Sequence, residues 1–130
     1  MNPEVARSIL RDRKIAYAIT NRSLALSEMR DPLGMLGAYG PASIGAALFD
    51  IAPELIGSEA ELEAILAGKL PRFQLEWVNR VTASGEEIYT ILIVLPSYDR
   101  ENSVDGVPEI GGLIYLVEDV TDIGILQQHL

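Results

Sequence analysis

The chain has 130 residues, of which 48% are hydrophobic and 22% charged, and it contains no cysteine. This composition is typical of one globular domain and excludes wholesale disorder. The lack of thiols excludes disulfides, cysteine nucleophiles and cysteine-ligated metal centres. The formal net charge of −9 argues against nucleic acid as a partner, because an acidic surface repels phosphate.

Other global features of the sequence indicate a cytoplasmic protein. No apolar run reaches the roughly 18 residues that a membrane span needs. Charged residues interrupt the N-terminus, so the basic-then-apolar pattern of a signal peptide is missing. The charge is uneven along the chain: residues 1–30 carry a net charge of +3, and residues 31–130 carry −12.

The first predicted element is an amphipathic helix over roughly residues 3–12. Asn2 is a good N-cap, and Pro3 suits the first helical turn. A helix this short is marginal in water, so it must dock on another surface. Its docking face is expected to consist of Val5, Ile9 and Leu10.

A hairpin and a short helix are predicted next. Residues 14–20 place Ile15, Tyr17 and Ile19 on one face of a strand, and a turn separates them from a second short strand over 24–28, which indicates a β-hairpin. A loop over 31–43, rich in glycine and proline, follows. A short helix is then expected over 43–49, and Pro53 limits its length.

The best-marked helix of the sequence covers residues 58–67. Ser58 and Glu61 have the spacing of a capping box, and Gly68 supplies a C-terminal stop. Its apolar face is formed by Leu62, Ile65 and Leu66.

Three strands are predicted in the C-terminal half, over residues 72–82, 88–95 and 112–120. A turn at Ser84-Gly85 joins the first two strands, and a polar loop over 97–110 joins the last two. The first strand alternates in polarity and is expected to be half-buried. One of its faces consists of Phe73, Leu75, Trp77 and Val81.

The last two of these strands are apolar on both faces. Short connections indicate an antiparallel sheet, and such sheets usually leave one face to water. Here that would expose residues such as Ile91, Ile93 and Leu116, and each is worth about 1.5–3 kcal/mol when buried. The helices over 43–67 can cover one face. The N-terminal helix or a second copy of the chain must cover the other, so the pattern predicts a homodimer.

This order of elements resembles a PAS domain, the small α+β sensory module of signalling proteins. The closing Asp119-Val120-Thr121 is similar to the Asp-Ile-Thr motif that ends the family's last strand and leads into a signalling helix. The resemblance covers nearly the whole chain. It implies a five-stranded antiparallel sheet of order 2-1-5-4-3, with short helices on one face and an N-terminal helix. The residues after the motif have the spacing of a coiled-coil seam, namely Ile123, Leu126 and Leu130.

The resemblance also implies where a ligand and a signal would act. PAS domains hold ligands between the sheet and the last helix before the third strand. Asp119 and Thr121 would form the signal exit, and we expect Asp119 to pair with Arg80. A filled core would explain the apolar helix stripe without any ligand. The implied pocket-lining residues are Leu62, Ile65, Leu66, Leu75 and Trp77.

The cofactor-binding branches of the family do not fit this sequence. A covalent flavin adduct or a thioester-linked chromophore needs a cysteine, and there is none. The haem branch uses a helix histidine as axial ligand, whereas the only histidine is His129 in the C-terminal tail. We therefore expect no metal and none of these cofactors. A noncovalent small ligand and no ligand at all both stay open.

The leading hypothesis is a non-catalytic regulatory domain that forms homodimers and signals to an output domain or partner. Its parts would be a dimerisation helix (1–13), a PAS-like domain (14–122) and the start of a connector helix (123–130). The second hypothesis is a purely structural dimerisation scaffold without a ligand. The third is a small enzyme on a cone-like α+β fold, which would need ionisable groups around a buried cavity.

Overall fold

The structure is a computed structural model that describes residues 2–39 and 42–122. The predicted connector helix, its seam residues and His129 lie outside the described residues. Two 3₁₀ turns, Leu36–Tyr39 and Pro53–Leu55, accompany the helices and strands. The helices and strands are α1 (Pro3–Asp12), β1 (Ile15–Thr20), β2 (Leu26–Arg30), α2 (Leu48–Ile51), α3 (Glu59–Leu66), β3 (Phe73–Val81), β4 (Glu87–Val104) and β5 (Val107–Asp119).

The strands form one antiparallel sheet in the order β2-β1-β5-β4-β3, which confirms the expected topology. Helices α2 and α3 and the 3₁₀ turns pack on one side of it, which we call the inner face. There Leu62 and Ile65 of α3 share one core with Leu92 of β4 and Tyr115 of β5. The opposite side of the sheet is called the outer face.

Helix α1 confirms the first prediction, both in its bounds and in its cap. The Asn2 Oδ1 atom accepts the Glu4 amide at 2.7 Å, and Pro3 occupies the first turn. None of the residues of α1 is buried, although it contacts β1. Its apolar stripe therefore has no complete docking surface within the described part of its own chain.

The helix expected over 43–49 is misplaced in the prediction. A turn at Ile44 and Gly45 lies beside the start of β2, where the Gly45 amide donates to the Leu26 carbonyl at 2.7 Å. The Leu26 amide in turn donates to the Ala46 carbonyl at 2.8 Å. These backbone bonds replace the ones a helix would offer, so α2 begins only after them and is four residues long.

Helix α3 confirms the predicted position, but the predicted capping box is wrong. The Ser58 side chain makes no capping hydrogen bond. Instead, the Glu59 carboxylate accepts the Gly57 amide at 2.8 Å, and this bond lowers the pKa of Glu59. Several acidic and hydroxyl side chains compete for the free amides at a helix start, so spacing alone does not select the cap.

The prediction of a polar loop over 97–110 is wrong, because β4 and β5 continue through these residues as one long hairpin. Asp105 and Gly106 form its two-residue turn, with φ of +53° and +77°. Both central residues of such a turn need positive φ, and Asp-Gly is a preferred dipeptide for it. The Asp-Gly dipeptide thus indicates a hairpin turn in a segment whose polar composition suggests a loop.

A β-bulge changes the faces of β3 halfway along its length. Leu75 and Val78 both pair with inner-face residues of β4, so Glu76 and Trp77 together oppose a single residue. Trp77 has a φ of +56° and is 38% exposed. The prediction that Leu75 and Trp77 share one buried face of this strand is therefore wrong.

The same bulge brings Arg80 to the inner face, where it is 1% exposed. Its Nε donates to Glu54 Oε2 at 2.7 Å, its Nη1 to the Met35 carbonyl at 2.9 Å, and its Nη2 to the Ile51 carbonyl. One guanidinium thus ties β3 to the segments that carry α2 and both 3₁₀ turns. The expected pairing of Arg80 with Asp119 is wrong, since Arg80 pairs with Glu54.

Strands β1 and β5 approach each other closely at Gly112. A Cβ atom on this residue would lie 1.7 Å from the Thr20 carbonyl oxygen. The Thr20 hydroxyl also accepts the Leu113 amide at 3.2 Å. Only glycine fits at this point of the sheet without a backbone shift.

Gly112→Ala is expected to lower the free energy of unfolding by about 2 kcal/mol or more, because the Thr20 backbone must move. Gly37→Ala is the matched control, since a Cβ there meets nothing within 4 Å and its φ is ordinary. Urea unfolding followed by circular dichroism compares the two. Equal stability of both variants would contradict the close approach.

Arg80→Met is expected to cost about 3–5 kcal/mol, because it removes all the donated bonds of a buried guanidinium at once. Glu54→Gln should cost less, since the amide oxygen still accepts a hydrogen bond. Urea unfolding of both variants measures the difference. If Arg80→Met were no more destabilised than Glu54→Gln, the guanidinium would not be the tie described above.

Candidate functional site

The inner face carries four of the five predicted pocket-lining residues. Leu62 and Ile65 are 1% and 0% exposed, and Leu66 and Leu75 pack half-buried against the same core. Trp77 lies apart from them at the bulge. The four inner residues therefore line the sheet–helix interface, where they form part of a packed core.

The buried polar side chains among the described residues are one arginine and three threonines. Arg80 is tied to structural partners, and the acidic one among them, Glu54, stays partly exposed. No group of three His, Asp or Glu within residues 2–39 and 42–122 could hold a metal ion. The same ranges contain no helix long and apolar enough to cross a membrane. The buried polar residues are Thr20, Arg80, Thr82 and Thr90.

The predicted exit residues form one hydrogen-bonded unit at the end of β5. The Asp119 carboxylate accepts the Thr121 amide at 2.9 Å and also the Thr121 hydroxyl. Thr121 Oγ1 accepts the Tyr89 amide at 3.1 Å, and the Val120 amide donates to the Tyr89 carbonyl at 2.8 Å. Asp119 thus acts as the cap of the turn that leaves the sheet, and Tyr89 fixes that turn to β4.

The exit also touches the junction between α1 and β1. The Asp119 amide donates to the Lys14 carbonyl at 3.0 Å, and Lys14 Nζ lies 3.9 Å from Asp122. Arg13 approaches Glu118 at 3.4 Å. These ion pairs are exposed and worth little each, but the junction and the exit are neighbours.

The outer face is apolar across its three central strands. Strand pairing brings alternate residues of β1, β5 and β4 to this side, and all of the apolar ones are half-buried. No described helix covers them as the inner face is covered. They are Ile15, Tyr17, Ile19, Ile91, Ile93, Leu95, Ile114 and Leu116.

The edge of the outer face near β2 is polar. The Tyr17 hydroxyl donates to Glu28 at 3.3 Å. Partial burial raises the pKa of Tyr17, and the Glu28 carboxylate adds to the rise, whereas Arg30 and Arg7 oppose it. Arg7 belongs to α1, so the helix lies within electrostatic reach of the outer face.

The predicted docking residues of α1 are only partly covered. Val5 is 49% exposed and Ile9 is 43% exposed, while Leu10 is half-buried. The structure therefore brings an exposed apolar helix stripe and an uncovered apolar sheet face into one region of the surface.

Sequence reasoning missed Tyr89 and Glu54. Tyr89 takes part through its backbone, for which no side-chain pattern gives a signal. Glu54 becomes a partner of Arg80 only because the bulge in β3 turns Arg80 inward, and the sequence marks that bulge with no glycine.

Asp119→Ala is expected to lower the free energy of unfolding by about 1 kcal/mol, because the Thr121 amide loses its cap. Asp119→Asn should lose less, since an amide oxygen also accepts that bond. Asp122→Ala, which removes a carboxylate only 3.9 Å from Lys14, serves as control. Urea unfolding decides, and an Asp119→Ala variant as stable as the control would show that the cap contributes nothing.

Comparison with known proteins relates the fold to solved structures only. No protein-family model matches the sequence, and no curated protein matches it. A PAS domain from Colwellia psychrerythraea has a TM-score of 0.58 at 13% identity, over 93% of this chain and 99% of that chain. A sensory box sensor histidine kinase from Vibrio cholerae has a TM-score of 0.55 at 16% identity, over 91% of each chain.

A third similar structure is the Vibrio cholerae VqmA–ligand–DNA complex. It has a TM-score of 0.63 at 15% identity, and the match covers 94% of this chain but only 53% of that chain. At such identities the likeness concerns the fold alone. The strand order, the placement of the helices and these matches together show that the chain has a PAS-like fold.

Proposed function

We propose that this chain is a cytoplasmic, non-catalytic sensory or regulatory domain of a signal-transduction protein, and that it works as a homodimer. The outer face carries the proposal, because eight apolar side chains of the central strands are only half-buried there. Apolar area removed from water contributes about 25 cal/mol per Å². The exposed Val5 and Ile9 of α1 extend this surface.

The position of the exit supports a signalling role. Strand β5 lies between β1 and β4, so it contacts the inner core, the outer face and the exit turn. A change in how two outer faces pack would move β5, and the hydrogen bonds of Thr121 and Val120 to Tyr89 would carry that movement into the exit. The similar structures include a sensor histidine kinase and a VqmA dimer, which fits this role.

A ligand of this domain would be held noncovalently between α3 and the sheet. The chain has no cysteine for a covalent adduct, and its only histidine is His129, outside the described residues. One of the similar structures is VqmA bound to DPO, so the fold accommodates small molecules in a relative. The net charge of −9 argues against direct contact with DNA.

A second candidate function is a structural dimerisation scaffold without a ligand. The complete burial of Leu62 and Ile65 favours it, because both already pack in the core. Native mass spectrometry of freshly purified protein separates the two functions. A reproducible extra mass that disappears on denaturation supports sensing, and its repeated absence supports the scaffold.

Leu116→Asp and Ile9→Asp are each expected to raise the dimer dissociation constant by about tenfold or more, because a charge would be buried between copies. Ile56→Asp is the matched control, since Ile56 is 63% exposed beside the helical layer. Light scattering over a concentration series measures the dimer. If Leu116→Asp and Ile9→Asp both dimerise as tightly as the unchanged chain, the proposed interface is refuted.

A further inference from the structure

The hairpin of β4 and β5 extends well beyond the rest of the sheet. Strand β1 pairs with β5 only as far as Ile114, and β3 pairs with β4 only as far as Val94. Residues 98–110 therefore form a two-stranded ribbon, here called the projecting arm, with no third strand among the described residues. The four residues of β5 in this arm, Val107 to Ile110, span roughly 13 Å at about 3.3 Å per residue, and the register with β4 shifts between Asp99 and Ser103.

The base of the arm is braced, so its direction is fixed relative to the sheet. Arg22 Nη1 donates to the Ile110 carbonyl at 2.6 Å and approaches the Leu66 carbonyl at 3.4 Å. The arm thereby joins the turn between β1 and β2 and the end of α3. A braced arm can present its side chains to a partner at a small cost in entropy.

The arm is acidic and exposes apolar side chains. Residues 98–110 contain four acidic residues and one basic residue. Glu101, Asp105 and Glu109 are exposed, and the described part of the chain offers them no ion pair. Tyr98 is 58% exposed and Val107 is 66% exposed. Such a surface suits a cationic partner that also carries apolar groups.

A surface of that kind lies on α1, which joins β1 at the end of the sheet opposite the arm. Arg7 and Arg11, here called the arginine stripe, are exposed on α1 at a spacing of one helical turn. Like charges at this spacing repel each other unless a partner neutralises them. No ion pair among residues 2–39 and 42–122 involves either arginine. The nearby Arg13 and Lys14 already pair within the chain.

Two outer faces related by a two-fold axis can stack with their strands nearly parallel or nearly antiparallel. In the parallel arrangement the two acidic arms lie at the same end, and so do the two arginine stripes, which places like charges together. In the antiparallel arrangement each arm extends past the far end of the partner's sheet, where α1 ends and β1 begins. Charge complementarity therefore favours the antiparallel arrangement.

We propose that two copies of this chain pair antiparallel through their outer faces, with the projecting arm of each copy lying against the arginine stripe of the other. This inference rests on the proposed homodimer and adds its direction and its charged contact. An arm of roughly 13 Å extends beyond the end of the partner's sheet when the two sheets are centred.

Charge reversal tests the contact. Glu101→Lys with Glu109→Lys on the arm, or Arg7→Glu with Arg11→Glu on α1, should each raise the dimer dissociation constant about tenfold at low salt. Combining both pairs should restore it to within about threefold, because the contact is then reversed but complementary. The control Asp50→Lys with Glu63→Lys adds the same charge on the helical layer and should leave the constant unchanged.

The outcomes separate this inference from the proposed homodimer. A chain that stays monomeric at every concentration refutes both. If Leu116→Asp disrupts the dimer but the arm and stripe reversals leave its affinity unchanged, the homodimer stands and the arm contact is wrong. A combined variant no tighter than either reversal alone would also overturn the contact.

Cross-linking tests the direction without weakening the dimer, because the chain has no cysteine of its own. Glu101→Cys chains mixed with Arg11→Cys chains should give a covalent heterodimer with a short bis-maleimide. Glu101→Cys chains alone should not link to each other. Efficient linking of Glu101→Cys chains alone would show the parallel arrangement and refute the proposal.

Discussion

The rest of the structure depends on one constraint, which is that β4 and β5 carry apolar side chains on both faces of a single antiparallel sheet. The chain itself satisfies this constraint on the inner side, where α2, α3 and two 3₁₀ turns close a core around Leu92 and Tyr115. On the outer side the described residues supply only α1, whose own apolar side chains stay exposed. The fold is thus complete on one side and open to association on the other.

The bulge in β3 sets the chemistry of the inner side. By inserting one residue, it turns Trp77 outward and brings Arg80 into the core. A buried guanidinium is costly unless its donors are satisfied, and Glu54 together with two backbone carbonyls satisfies them. The irregular segment between β2 and α3, which has few regular elements of its own, is thereby held to the sheet. The ion pair with Glu54 and the hydrogen bonds to the two carbonyls offset the cost of burying the charge.

The end of β5 connects the two sides of the sheet with the exit. Asp119 caps the turn through Thr121, and Tyr89 of β4 holds both Val120 and Thr121 by backbone hydrogen bonds. The α1–β1 junction adjoins the same place through Lys14. A partner that repositions α1 or the outer face therefore acts next to the residues through which the chain leaves the domain. This proximity gives the proposed regulatory role a physical route.

The sequence by itself determined the elements whose signals are local or periodic. The Asn2 cap fixed α1, and the two-faced apolar strands, with the resemblance carried by Asp119-Val120-Thr121, indicated the strand order. Only the tertiary structure decided the features that depend on contacts between distant segments. The bulge at Trp77, the pairing of Arg80 with Glu54 and the late start of α2 all arise because groups far apart in sequence meet in the folded chain. The alternation of side chains between the two faces of a strand cannot reveal where a β-bulge inserts an extra residue relative to the neighbouring strand.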